Sequence, residues 1–87
     1  MKTAWSDDAW NDYIYWQKQD KKTLKRINSL IEDIKRNGYK GIGSPEPLKH
    51  DLNGYWSRKI DEKNRIVYTI ENDLIFITQR SSHYRDK

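Results

Sequence analysis

Cysteine is absent from this 87-residue chain, which excludes a disulfide framework, a thiolate nucleophile and any cysteine-based zinc site. That absence fits a reducing compartment. Histidine is scarce: His50 and His83 stand alone, and neither belongs to an HxxxH or HExxH pattern, so no metal site is expected. A phosphate-cradling G-x-x-x-x-G-K-[ST] loop is also missing. Gly41-Ile42-Gly43 lacks the lysine, the length and the following helix that such a cradle requires. No apolar run approaches the roughly 20 residues that span a bilayer. The opening Met1-Lys2-Thr3-Ala4-Trp5-Ser6-Asp7-Asp8 does not have the form of a signal peptide. A cytoplasmic protein without membrane association is the expectation. Repeats, low-complexity tracts and linkers are wanting too, which predicts a single domain over residues 1–87.

Aliphatic residues are few. Leu, Ile, Val and Phe together make 17 of the 87 residues, a fraction at the edge of the disorder range. Disorder at that level also needs a large net charge, and 17 basic against 13 acidic residues leave only +4. Four Trp and six Tyr add large areas to bury. The chain is therefore expected to fold, and its positive balance makes nucleic acid a candidate partner.

The pattern along the chain gives an α+β order. Residues 2–5 read as a short strand. Ser6 has the form of an N-cap, with Asp7 and Asp8 where a helix N-terminus favours negative charge. Trp10, Tyr13, Ile14 and Trp16 then recur at helical spacing, predicting a first helix over residues 7–17. Asp20 can cap a second helix, whose stripe is Leu24, Ile27, Leu30, Ile31 and Ile34, with Asn37-Gly38 as its stop. Between Lys18 and Arg36 lie seven basic and three acidic residues, so this stretch alone carries the net charge.

From Tyr39 to Gly54 three glycines and two prolines predict mostly loop. Alternation resumes at residues 55–60, with Trp56, Arg58 and Ile60 on one face and Tyr55, Ser57 and Lys59 on the other. After a turn at 61–64, residues 65–70 place Ile66, Tyr68 and Ile70 inward and Arg65, Val67 and Thr69 outward. Asn72-Asp73 is a hairpin turn, and residues 74–79 form a last strand. The expected fold is a small antiparallel β-sheet with the two N-terminal helices packed on one face.

Chemistry is concentrated in the loop and the sheet. Glu46 lies between Pro45 and Pro47, and residues that precede proline favour extended backbone, so Ser44 and Glu46 are both expected extended in a stiff loop. Lys49, Arg58, Lys59 and Arg65 supply cations, and His83-Tyr84 an imidazole and a ring. Basic and aromatic groups on one sheet face suit RNA, through phosphate contacts and base stacking; ordinary surface lysines would look the same. RNA is cleaved without metal when its 2′-hydroxyl attacks the adjacent phosphorus. That step needs a base, cations around the phosphorane and an acid for the departing 5′-oxygen. Glu46, Arg65 and His83 supply one of each.

With those residues in view the chain resembles the YoeB/Txe toxins of the RelE superfamily, the mRNA endonucleases of bacterial toxin–antitoxin pairs. The similarity spans residues 3–84. It is carried by Trp5-Ser6-Asp7-Asp8-Ala9-Trp10, Asp12-Tyr13-Ile14-Tyr15-Trp16 and Lys25-Arg26-Ile27-Asn28. Further matches are the stretch from Gly41 to His50 that contains Pro45-Glu46-Pro47-Leu48-Lys49, then Trp56-Ser57-Arg58-Lys59-Ile60, Asn64-Arg65-Ile66-Val67-Tyr68 and His83-Tyr84.

The resemblance implies a RelE-like fold with Glu46 as general base, His83 as general acid and Arg65 on the transferring phosphate. It further implies Tyr84 stacked on a nucleotide and Lys49 near the phosphate; Arg58 and Lys59, basic residues of the same hairpin, are expected to assist. It implies action on translated mRNA in the ribosomal A site, a homodimer, a YefM/Phd-type antitoxin and no cofactor. Two departures stand out. Lys59 replaces a common second arginine, exchanging a bidentate fork for a point charge, and Arg85-Asp86-Lys87 extends past the usual end. The alternative is a non-catalytic basic module that binds RNA, the ribosome or the antitoxin.

Overall fold

The computed structural model describes residues 1–78. The chain begins with strand β1 (Lys2–Trp5) and continues into helices α1 (Asp7–Gln19) and α2 (Lys21–Asn37). The short β2 (Glu46–Pro47) and a 3₁₀ turn (His50–Leu52) follow, then β3 (Trp56–Lys59), β4 (Arg65–Glu71) and β5 (Leu74–Thr78). No helix among the described residues is long and apolar enough to cross a membrane.

The helices start and stop where local chemistry dictates. Ser6 Oγ accepts the Ala9 N–H at 3.1 Å, satisfying one of the donors a helix start leaves free. Asp20 serves both helices. Its N–H closes α1 on the Trp16 carbonyl at 3.0 Å, and its carboxylate accepts the Lys22 and Thr23 N–H groups at the start of α2. The Thr23 hydroxyl, which donates to the same carboxylate at 2.7 Å, and after it these N–H groups hold the Asp20 carboxyl below its ordinary value. The first helix therefore ends two residues later than its apolar spacing predicts. The buried side of α1 is Ala9, with Tyr13 and Trp16 half-buried against the core. Trp10, expected inward, is 45% exposed; it sits one position past the stripe and packs instead on Trp5 and Tyr13.

The sheet has the order β1-β5-β4-β3-β2. Strands β2 to β5 are antiparallel neighbours, but β1 pairs parallel with β5, Lys2 beside Leu74 through Trp5 beside Ile77. The sheet is therefore mixed where a wholly antiparallel one was expected. Short connections lead β3, β4 and β5 to run antiparallel, whereas β1 is separated from β5 by both helices and by β2 to β4, so no turn fixes their relative direction.

Both helices cover one face. Ile27, Leu30, Ile31 and Ile34 of α2 meet Ile66, Tyr68, Ile75 and Ile77 of the sheet in one buried cluster. Cross-strand pairing puts Glu46, Ser57, Val67 and Thr78 in one row on the opposite, helix-free face. Lys59 and Arg65 form the adjacent pair on that face. Ser57 and Val67 are nonetheless fully buried, and the Arg65 side chain lies against the Ser57 hydroxyl.

Candidate active site

Glu46 and Arg65 come together on the helix-free face. The proline-flanked segment pairs with β3, Glu46 across from Ser57 and Pro47 across from Trp56, at the sheet edge where proline's missing donor is tolerated. Arg65 opens β4, and its guanidinium reaches back over β3 toward that edge. Nε donates to Ser57 Oγ at 2.8 Å, and Nη2 to the Ser44 carbonyl at 3.2 Å. Nη2 also lies 3.3 Å from Glu46 Oε1, with the Arg65 side chain 15% exposed and that of Glu46 55% exposed. A shielded fork thus faces a solvent-accessible carboxylate. Ser44 departs from expectation: its φ of 50° is left-handed, not extended. The bond from Arg65 to its carbonyl accompanies this turn, which for a non-glycine residue costs on the order of 1–3 kcal/mol.

Two lysines border the pair. Lys59 is the cross-strand partner of Arg65, and its ammonium lies 3.6 Å from the Glu62 carboxylate, with both side chains open to solvent. Lys49 is exposed at the entry to the 3₁₀ turn, just beyond Pro47. His83 and Tyr84 lie outside the described residues.

Arg58 is a correction. Expected to hold phosphate, it is 0% exposed and lies on the helix-covered side of β3. Nε donates to Tyr68 Oη at 3.0 Å and Nη1 to Asp33 Oδ2 and the Ile42 carbonyl. Nη2 donates to the carbonyls of Gly38 at 2.7 Å and Lys40 at 2.6 Å. A guanidinium has five N–H groups, and all five have a partner here. Nothing is left for a substrate. The Arg58 hydrogen bond outweighs desolvation and holds the Asp33 carboxyl below its ordinary value, with help from the Ile42 N–H and Asn37. Burial raises the Tyr68 phenol, keeping the proton that it gives to the Gly38 carbonyl. The loop after α2 is thus folded around one arginine. Gly41 is required there, since a Cβ would stand 1.9 Å from Asp33 Oδ2.

Residues 5–84 match the family model described as the YoeB-like toxin of the bacterial type II toxin-antitoxin system. The chain belongs to that family. It is thus a toxin of the type II toxin–antitoxin class, with the RelE-like α+β fold expected of it. It is 49% identical to Toxin YoeB of Escherichia coli K12 over 84 residues, covering 97% of this chain and 100% of that one. A heterotetrameric YoeB-YefM toxin-antitoxin complex from Staphylococcus aureus aligns with a TM-score of 0.86 at 46% identity, over 90% of this chain and 91% of that one. A YoeB dimer from the same organism aligns with a TM-score of 0.85 at 46% identity and the same coverage.

Within this YoeB-like toxin, sequence reasoning missed two partners of Arg65: the Ser57 hydroxyl and the Ser44 carbonyl. Ser57 had a legible signal. Alternation already places it on the face of Lys59, so a small hydroxyl among cations was available as a hydrogen-bonding candidate. The Ser44 carbonyl had none, because its orientation depends on a left-handed backbone that the following proline argues against.

Proposed function

We propose that this toxin is a ribosome-dependent mRNA endoribonuclease that cleaves by 2′-hydroxyl attack in the A site. The observation that carries the reading is the 3.3 Å approach of Glu46 to Arg65 on the sheet face opposite the helices. It puts a proton acceptor beside a phosphate-binding fork. Glu46 takes the 2′-hydroxyl proton as the 2′-oxygen bonds to phosphorus. Arg65, with Lys59 and Lys49 beside it, holds the charge on the phosphorane. His83 gives a proton to the 5′-oxygen as the P–O5′ bond breaks, and Tyr84 stacks on a base. The products are a 2′,3′-cyclic phosphate and a 5′-hydroxyl.

The direction of β5 supports the role of the tail. Thr78 stands across from Val67, so β5 heads toward the Arg65 end of β4. His83 follows five residues later, and five extended residues span at most about 18 Å. In this reading the toxin works in the cytoplasm, as a single domain over residues 1–87, pairs with a second copy and is silenced by a YefM-type antitoxin. The related complex and dimer support those partners.

Mapping the ends of a transcript incubated with the toxin, with and without ribosomes, tests the reading. Cleavage that needs ribosomes and leaves 5′-hydroxyl ends is expected, and Glu46→Gln should slow it about 10²–10⁴-fold. Ends carrying 5′-phosphate would overturn the mechanism. Growth arrest left unchanged by Glu46→Gln and His83→Gln would point to a binding module instead.

A further inference from the structure

We propose that Ser57 is a positioning residue for this reaction, acting through Arg65 without touching RNA; the inference rests on the endonuclease reading above. Among the described residues three contacts orient the Arg65 fork, and they are not equivalent. The contact to Glu46 joins Nη2 to a carboxylate that is 55% exposed. That contact must loosen whenever the carboxylate turns to take a proton. The contact to Ser44 is to a backbone carbonyl in the edge loop, at 3.2 Å. The bond from Nε to Ser57 Oγ is the shortest of the three, at 2.8 Å, and its acceptor is fully buried.

Ser57 is also built into the sheet on both sides, across from Glu46 on β2 and from Val67 on β4. Its hydroxyl therefore has a fixed origin in the same row as the base. A guanidinium is planar, so fixing Nε and Nη2 fixes the plane of the whole fork. The contacts it makes among the described residues fall on Nε and Nη2, and in the endonuclease reading Nη1 is the arm that meets the phosphate oxygens. The serine thereby sets the angle at which charge stabilisation is delivered. Only the step in which phosphorane charge develops should feel its loss, because groups that act in the transition state alone change kcat and not KM.

Single-turnover cleavage of a model mRNA on programmed ribosomes tests this with the full-length toxin. Ser57→Ala is expected to lower the rate constant about 10–100-fold, the scale of a misplaced catalytic group. The half-saturating ribosome concentration and the melting temperature should stay near wild type. Ser57→Thr keeps the oxygen in a strand-compatible side chain and should restore most of the rate. In an Arg65→Lys background, which lacks the Nε–H, Ser57→Ala should cost nothing further. Equal losses in both backgrounds, a threonine as slow as the alanine, or an alanine as fast as wild type would each overturn the positioning role. The wild-type toxin and Glu46→Gln in the same assay separate the layers: no cleavage by wild type would remove the endonuclease reading itself, and wild-type cleavage by Glu46→Gln would remove Glu46 as the base, whatever Ser57 does.

Discussion

Two arginines on neighbouring strands, Arg58 and Arg65, do opposite work. Arg58 points to the helix-covered side of the sheet, and its whole fork is spent on Asp33, Tyr68 and three loop carbonyls. Arg65 points to the other side, makes fewer contacts among the described residues and stands beside an exposed carboxylate. Their difference lies in pleat parity: successive side chains of a strand face opposite sides. One buried cation organises the loop that precedes Glu46, and the other stands beside the Glu46 carboxylate itself. The pair teaches that a basic residue near a candidate site is evidence for substrate binding only once its donors have been counted.

The sharpest way to break this contrast is to remove each guanidinium in turn. Arg58→Met should lower the unfolding free energy by about 3–5 kcal/mol, the cost of stranding a buried partner. Chemical denaturation reads it, and unchanged stability would show that the loop does not depend on Arg58. Arg65→Ala should leave the denaturation midpoint near wild type while lowering cleavage by about 10²–10³-fold, as for other donors to a developing negative charge. A large stability loss there would erase the distinction.

A finer test uses pH. Asp33 is held below its ordinary value of 3.8, so in the folded chain it stays ionised to lower pH than when unfolded. Its stabilising contribution is fully present above that ordinary value and is lost as pH falls through the depressed folded value. Urea midpoints across this acidic range should therefore decline for wild type and decline less steeply for Asp33→Asn. The variant should also be weaker at neutral pH, where Arg58 has lost its charged partner. Parallel slopes for the two proteins would show that the Arg58–Asp33 pair contributes nothing to acid lability.

Much of the fold was legible because its signals are local. The α2 stripe of Ile27, Leu30, Ile31 and Ile34 repeats at helical spacing, and all four are buried. Asn72 and Asp73 both adopt positive φ in the β4–β5 turn, as short hairpin loops demand. The parallel pairing of β1 with β5 was not legible, since no turn links those strands. Likewise, the charge and strand face of Arg58 could be read from spacing, but not its partners. Asp33 and the carbonyls of Gly38, Lys40 and Ile42 come from the end of α2 and the loop after it.

The sequence by itself determined the alternation that separates Arg58 from Arg65, the capped helices and the proline clamp around Glu46. These depend on covalent geometry and on neighbours within a few residues. Only the tertiary structure decided which cation is fully enclosed by partners and which stands beside the exposed Glu46. That outcome depends on where α2 and its loop settle on the sheet, and burial of a charge is worth its desolvation only where distant carbonyls and a carboxylate converge on it.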